Sequence, residues 1–189
     1  MNRGEIILNL ALTLDGFIEG PNGEIDWLVR DESIDFGEIL EEILSDKDAI
    51  FYGRISYEKW GNYQPAEGAS QKLKDAYKSL HSKTKYVFSK AKTSDKTNAI
   101  FINDNIRERV MEIKKQPCKN IWLYGGGSLI TTFLNLDLVD LYKLAVHPVI
   151  IGKGKALFEN IKDRHRLKLL DSKNYKSGVI LLTYETIRE

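Results

Sequence analysis

The sequence predicts an α/β protein: a mixed, mostly parallel central sheet with helices on both faces and an antiparallel strand pair at its C-terminal edge. Two observations carry that prediction. Apolar runs of strand length alternate with stretches of helical periodicity through most of the chain, and the last two strand-like runs follow each other with only a turn near Asn174 and Gly178 between them. A third observation sets the scale. The 189 residues, 42% apolar and 29% charged, contain no repeat, low-complexity tract or Pro/Gly-rich linker, so residues 1–189 are expected to form a single domain.

Residues 6–14, Ile6 to Leu14, are almost continuously apolar and end at Asp15-Gly16, the pattern of a strand buried on both faces. The glycine-bearing loop Glu19-Gly20-Pro21-Asn22-Gly23 follows. Phe36, Ile39, Leu40, Ile43 and Leu44 share one helical face, and Asp35 with Glu38 three residues on marks the helix start. Ala49 to Tyr52 reads as a short buried strand, completing a βαβ unit, and Gly53-Arg54-Ile55-Ser56 turns into a helical segment around Tyr57 to Trp60. A helix is expected from Ala69 to Leu80, strands at Tyr86 to Ser89 and Ala99 to Ile102, and a helix from Asp104 to Lys115 with Ile106, Val110 and Ile113 inward, ended by Pro117. Ile121 to Tyr124 reads as a strand, Ser128 to Leu134 as a short helix, and Leu138 to Val146, Leu167 to Leu170 and Val179 to Thr186 as strands.

Composition narrows the function classes. A single cysteine, Cys118, excludes an internal disulfide scaffold and a cysteine-built zinc site. The opening apolar stretch is too short to span a bilayer and lacks a signal-peptide layout, so a soluble cytoplasmic protein without membrane association is expected. The net charge of +1 hides a division: residues 1–50 hold 13 acidic and 3 basic side chains, a balance of −10, and the remainder hold 14 and 25, a balance of +11. An anionic ligand is therefore expected on the later part of the chain, although the same charges could be solvated helix faces. The basic residues are scattered, without the basic and aromatic signature of a nucleic-acid module.

The most informative local feature is Gly125-Gly126-Gly127-Ser128 between an apolar strand and a helix start. Three bare residues let the backbone approach a ligand, and free N–H groups at a helix start suit a phosphate; a tight turn is the alternative. Neither a Rossmann fingerprint nor a Walker A loop fits, since Ile130 stands where a third small residue is required and Lys155 is followed by Ala156. Gly53-Arg54-Ile55-Ser56 adds a guanidinium and a hydroxyl at another strand end, and Ser89-Lys90 a hydroxyl and an ammonium at a third. Each alone reads as an ordinary surface or capping group. Gly152-Lys153-Gly154-Lys155 could complete an anion site or serve as a hairpin or crossover turn. His147, before Pro148 at a strand end, reads as structural, and His81 and His165 have no partner at metal-ligand spacing, so no metal site is expected. No G-x-S-x-G elbow supports serine hydrolase chemistry.

Five segments, in this order, resemble the superfamily of dihydrofolate reductase and the reductase domain of riboflavin biosynthesis. They are Leu12-Thr13-Leu14-Asp15-Gly16-Phe17-Ile18, Phe51-Tyr52-Gly53-Arg54-Ile55-Ser56-Tyr57-Glu58, Val87-Phe88-Ser89, Leu123-Tyr124-Gly125-Gly126-Gly127-Ser128-Leu129, and His147-Pro148-Val149-Ile150-Ile151-Gly152-Lys153-Gly154-Lys155-Ala156-Leu157-Phe158. The resemblance extends to bacterial proteins of the dihydrofolate reductase family. It implies a dihydrofolate reductase-like three-layer fold and an NADPH-dependent reductase of a small nitrogen heterocycle, such as 5-amino-6-(5-phosphoribosylamino)uracil or a pterin. It also implies an NADPH site in which Gly125, Gly126, Gly127 and Ser128 run beside the pyrophosphate and nicotinamide, Gly53, Arg54 and Ser56 hold phosphates, and Ser89 and Lys90 lie near the adenosine ribose and its 2′-phosphate. A carboxylate shortly after Trp27 would assist protonation, which points to Asp31 or Glu32, and a homodimer is expected on the same ground.

The chain departs from both relatives. The stretch Ser33 to Ser45 holds no Lys or Arg where the riboflavin-type reductases grip a ribose phosphate, and no arginine is identifiable for a glutamate tail. A neutral or cationic heterocycle suits that acidic stretch better than a phosphorylated one. Two other classes stay open: a nucleotide-binding or interaction module without turnover, and a phosphate-ligand enzyme outside redox chemistry.

Overall fold

The structure is a computed structural model that describes residues 4–30, 35–91, 94–116 and 120–188. These residues group into two compact units, one of 4–6 and 35–126, the other of 7–30 and 127–188.

The first unit is built on four parallel strands, β3 (Lys47–Gly53), β4 (Thr84–Phe88), β5 (Ile100–Ile102) and β6 (Asn120–Gly125), in the spatial order β5-β4-β3-β6. Parallel neighbours require crossovers: α3 (Gln71–Ser82) lies between β3 and β4 and α4 (Ile106–Lys115) between β5 and β6, while α1 (Phe36–Leu44) leads into β3. The Asp35 carboxylate accepts the Gly37 N–H at 2.7 Å and so caps α1 as its sequence requires. The buried residues of that helix are Gly37, Leu40 and Leu44, whereas Phe36 and Ile39, expected inward, are 56% and 39% exposed. The cause is the contact with α3. A Cβ on Gly37 would lie 2.5 Å from the Leu73 backbone nitrogen, so the helices meet main chain to main chain and the glycine face turns inward. Between helices and sheet lies a core of Leu40, Leu44, Ile50, Tyr52, Tyr57, Ala76, Leu80, Val87 and Trp122.

The expected helical segment after β3 is a single short helix, α2 (Arg54–Ser56), running into a π-helical turn, Tyr57–Gly61. Its end is tied to the start of β4. The Lys85 ammonium donates to the Gly61 carbonyl and to His81 Nδ1 at 3.1 Å, and His81 Nε2–H donates to the Tyr63 carbonyl at 2.9 Å.

The second unit holds most of β1 (Ile6–Thr13), with β7 (Leu141–His147) parallel to it, β10 (Ile180–Ile187) antiparallel to β7, and β9 (Arg166–Asn174) antiparallel to β10. Pairing over the whole chain is thus mixed and mostly parallel, with the antiparallel C-terminal pair that the sequence predicts. The β9 strand is longer than the expected Leu167 to Leu170, because Lys168, Asp171 and Lys173 lie on an edge strand with no apolar alternation to reveal it. Helix α5 (Gly127–Asn135) buries Leu129, Ile130, Phe133 and Leu134. One pairing is absent from the sequence reading: β2 (Phe17–Glu19) and β8 (Lys155–Ala156) form a two-stranded antiparallel ribbon, so the glycine-lysine loop before β8 is part of a strand connection. The expected helix stop at Pro117 and the lone Cys118 fall outside the described residues.

Candidate functional site

In the first unit the predicted ligand residues converge through strand register. Gly53 pairs with Phe88, and Tyr52 pairs with Gly125, so the C-terminal ends of β4, β3 and β6 lie side by side. From them extend Ser89-Lys90, Gly53-Arg54-Ile55-Ser56 and Gly125-Gly126. This is the end of a parallel sheet at which ligands bind in open α/β folds. Gly125 is buried with φ at +96°, a conformation that a side chain would resist, and the Gly125–Gly126 peptide is cis. Ser89 is buried; its N–H donates to the Ile102 carbonyl at 3.0 Å and its own carbonyl accepts from the Asn103 amide at 2.7 Å. Both main-chain groups are thereby fixed by the neighbouring strand and loop. Lys90 is exposed and Ser56 half-buried.

Arg54 is placed at the expected strand end, but its guanidinium donates to the Glu58 carboxylate at 2.7 Å, one helical turn on. Both side chains are exposed, so this ion pair contributes little to stability. Beneath these strand ends lies an aromatic floor. The Tyr52 ring lies 4.8 Å from Tyr124 and 5.8 Å from Tyr57, and the Tyr52 hydroxyl meets no acceptor among the described residues. Burial pushes its pKa well above that of a free phenol, so it is a neutral group.

In the second unit Gly127 and Ser128 open α5, Gly127 buried and Ser128 exposed. The Gly127 requirement has a local cause: a Cβ there would lie 2.7 Å from Cε of Lys155, whose aliphatic stem crosses the bare glycine. The ammonium of that lysine lies 3.7 Å from the Glu19 carboxylate. A cation at a helix N-terminus disfavours the helix dipole unless an anion joins it, and Glu19 supplies one.

The ends of β1 and β7 carry contacts that the sequence reading, which took His147 as structural, did not assemble. The buried Thr13 hydroxyl donates to Asp15 at 2.6 Å and accepts the Phe17 N–H at 2.9 Å. The Asp15 carboxylate also accepts the Gly152 N–H at 2.7 Å. The Thr13 hydroxyl, followed by the two loop amides, holds the Asp15 pKa below the usual carboxylate range. Gly154 has φ at +155°, and a Cβ there would lie 2.2 Å from the Glu19 carbonyl oxygen, so the loop before β8 touches the β2 main chain directly. Thr13 pairs with His147 in the β1–β7 register. The buried His147 accepts the Val29 N–H through Nδ1 at 3.0 Å, and the Trp27 ring packs edge-on against it at 5.5 Å. Desolvation lowers the His147 pKa. The loop segment containing Trp27 is thus anchored to a strand end. The candidate proton donors Asp31 and Glu32 lie outside the described residues.

Among the described residues no group of three or more His, Cys, Asp or Glu side chains is placed to hold a metal, and no helix is long and apolar enough to cross a membrane. The donor set at the first unit's strand ends fits a dinucleotide: bare main chain for close approach, two hydroxyls, and two exposed cations for phosphate charge.

Comparison with known proteins bears on family and fold. The sequence model of the RibD C-terminal domain matches residues 5–181. The uncharacterised protein YyaP of Bacillus subtilis is 49% identical over 184 residues, 97% of this chain and 96% of that one. Among solved structures, a pyrimidine reductase-like protein from Corynebacterium diphtheriae is similar with a TM-score of 0.71 at 18% identity, covering 100% of this chain and 94% of that one. A diaminohydroxyphosphoribosylaminopyrimidine deaminase/5-amino-6-(5-phosphoribosylamino)uracil reductase from Thermotoga maritima is similar with a TM-score of 0.67 at 15% identity, covering 98% of this chain and 57% of that one. At those identities the likeness shows the fold, which is the RibD reductase fold of the dihydrofolate reductase-like class.

Proposed function

The chain belongs to the RibD C-terminal domain family, and from that premise we propose that it is an NADPH-dependent reductase of a small nitrogen heterocycle. The observation that carries this reading is the convergence of Gly53, Ser89 and Gly125 at adjacent parallel strand ends, with Arg54, Ser56 and Lys90 beside them. In this reading Arg54 and Lys90 neutralise phosphate charge, Ser56 and Ser89 donate or accept hydrogen bonds along the ribose and phosphates, and the Gly125-Gly126-Gly127-Ser128 run offers main chain to the diphosphate. NADPH supplies the hydride. The protein supplies orientation, exclusion of water and a proton, for which Asp31 and Glu32 are the candidate acids.

One observation bears on the substrate. Helix α1 carries Glu38, Glu41 and Glu42 and no basic residue, and the Lys72 ammonium that reaches it from α3 is paired with the Glu38 carboxylate. An α1 of that charge disfavours a ribose phosphate and favours an uncharged or cationic ring. The same observation favours a second reading, a nucleotide-binding module of this fold without turnover.

The two readings separate in one experiment. NADPH oxidation is followed with pterins and aminouracils, each offered with and without a ribose phosphate. The proposed reductase oxidises NADPH with an unphosphorylated ring and does so less efficiently with the phosphorylated one. NADPH binding without oxidation across the panel leaves the binding module as the correct reading.

A further inference from the structure

In the first unit the π-helical turn Tyr57–Gly61 follows directly on Arg54–Ser56, the segment that carries a guanidinium and a hydroxyl at the end of β3. A π-turn is rare and persists where its surroundings hold it, frequently beside a functional site. Side chains tie this one at both ends. At its start the buried Tyr57 hydroxyl lies 2.7 Å from Thr97 Oγ1. The Thr97 hydroxyl gives its own proton to the Asp95 carboxylate, so Tyr57 is the donor. At the far end the Lys85 ammonium has three N–H groups and meets three acceptors, the Gly61 carbonyl, Asn62 Oδ1 at 3.4 Å and His81 Nδ1 at 3.1 Å. Gly61 is also where the turn closes on itself, since a Cβ there would collide with the Tyr57 ring. The turn after β3 is therefore bonded through Thr97 to the loop that leaves β4 at Ser89-Lys90, and through Lys85 to the start of β4. Both loops carry groups suited to phosphate.

Resting on the reading of these strand ends as an NADPH site, we propose that Lys85, His81 and Tyr57 are positioning residues for the dinucleotide, and that protonation of His81 lowers its affinity. His81 accepts from Lys85 at Nδ1 and donates from Nε2 to the Tyr63 carbonyl, so its ring is neutral. A proton on Nδ1 turns that acceptor into a donor and sets a second positive charge 3.1 Å from the ammonium. The ammonium then leaves its three acceptors, the Gly61 carbonyl loses its partner, and Arg54–Ser56 loses the fixed turn that places it.

The groups that face His81 set the direction of the effect. On β4 it meets Lys85, and on its own helix the Tyr77 ring, 6.1 Å away and kept neutral by burial. After the π-turn come the Tyr63 carbonyl at 2.9 Å and the uncharged Gln64 amide at 3.1 Å. The carboxylate that bears on the pair is Asp95, and its charge acts on Lys85. Burial first and the Lys85 charge second lower the His81 pKa, outweighing the Tyr63 carbonyl that raises it. The tie is thus made above the ordinary histidine range and opens as pH falls below it.

The test uses the full chain and NADPH, with dissociation constants measured by calorimetry. Lys85→Met keeps the aliphatic stem and removes the ammonium, and Tyr57→Phe removes the hydroxyl without changing charge; each is expected to weaken NADPH about fivefold. His81→Gln retains an acceptor for Lys85 and cannot titrate. The 2′-phosphate of NADPH itself takes up a proton near about pH 6, so the wild-type profile is read against that of His81→Gln, in which the cofactor's titration is the same. Between about pH 7.5 and about pH 5 the wild-type affinity is expected to fall about fivefold further than the variant's. Linkage gives a second readout, because a proton that weakens NADPH must itself be bound less tightly when NADPH is present. Saturating NADPH should lower the His81 pKa, followed by NMR, by about 0.7, the logarithm of that fivefold ratio. An anionic cofactor acting through its charge alone would raise it. Parallel pH profiles for wild type and His81→Gln, or a His81 pKa that NADPH leaves unmoved or raises, overturn the proposal, as does unchanged NADPH affinity in both Lys85→Met and Tyr57→Phe. Should those two variants fail to fold, the profiles and the wild-type NMR titration still decide. Failure of the wild-type protein to bind NADPH removes the reading of the site and this proposal with it, whereas NADPH binding with parallel profiles removes the proposal alone.

Discussion

Replacing Gly154 by alanine measures how firmly the glycine-lysine loop is seated on the β2 main chain. Two costs combine. Gly154 has φ at +155°, outside the range that a side chain accepts comfortably, and such a residue costs about 1–3 kcal/mol. The added Cβ would also lie 2.2 Å from the Glu19 carbonyl oxygen, a backbone atom that cannot swing aside, and forced overpacking of this kind costs a further ~1–3 kcal/mol. Gly152 is the internal control, since its φ of +73° carries the first cost while a Cβ there meets nothing within 4 Å. The difference between Gly154→Ala and Gly152→Ala thus reads the close approach together with the harsher backbone position of Gly154, and at least about 1–3 kcal/mol corresponds to a melting temperature about 2–12 °C lower for Gly154→Ala in a chain of this size. Thermal unfolding followed by circular dichroism, with urea titration as a check, reads it. Equal melting temperatures for the two variants, or a lower one for Gly152→Ala, refute the seating of the loop on Glu19.

Gly37→Ala should lower stability by about 1 kcal/mol or more in urea titration, because a Cβ at 2.5 Å from the Leu73 nitrogen outweighs the ~1 kcal/mol that alanine gains over glycine in a helix. Arg54→Ala should change stability by less than about 0.5 kcal/mol, since its ion pair with Glu58 is exposed, yet weaken NADPH more than NADH in a binding titration. Stability should decline as pH falls below the ordinary histidine range. His81, its pKa lowered first by burial and then by the Lys85 charge, binds its proton more readily when unfolded, so its contribution is complete above the unfolded pKa and lost on acidification. In His81→Leu the slope of stability against pH over that range should be shallower than in the parent.

The elements legible in the sequence were those whose signal is local. The Asp35 cap, the buried Ala49 to Tyr52 run and the glycine run after β6 each depend on neighbours within one turn or one strand, and each is found where the sequence places it. The two-stranded ribbon was not legible, because β2 has three residues, β8 has two, and their pairing joins segments more than a hundred positions apart. The inward face of α1 was misread for a related reason. The contact between Gly37 and Leu73 decides its rotation, and hydrophobic periodicity carries no record of a glycine acting as the contact surface. The candidate site divides in the same way. Strand-end groups such as Arg54 and Ser89 could be marked from their position after an apolar run, but nothing in the sequence ties His147 to the Val29 amide or turns an apparently structural histidine into the anchor of Trp27.

The central claim is that the strand ends at Gly53, Ser89 and Gly125 receive a phosphorylated dinucleotide. Its most direct test is the melting temperature of the full chain with NADPH and, separately, with NADH. At a concentration about a hundredfold above its dissociation constant NADPH should add about 2.7 kcal/mol, a rise of roughly 5–11 °C, and NADH at the same concentration should add distinctly less. No rise with either nucleotide, or equal rises with both, contradicts the account.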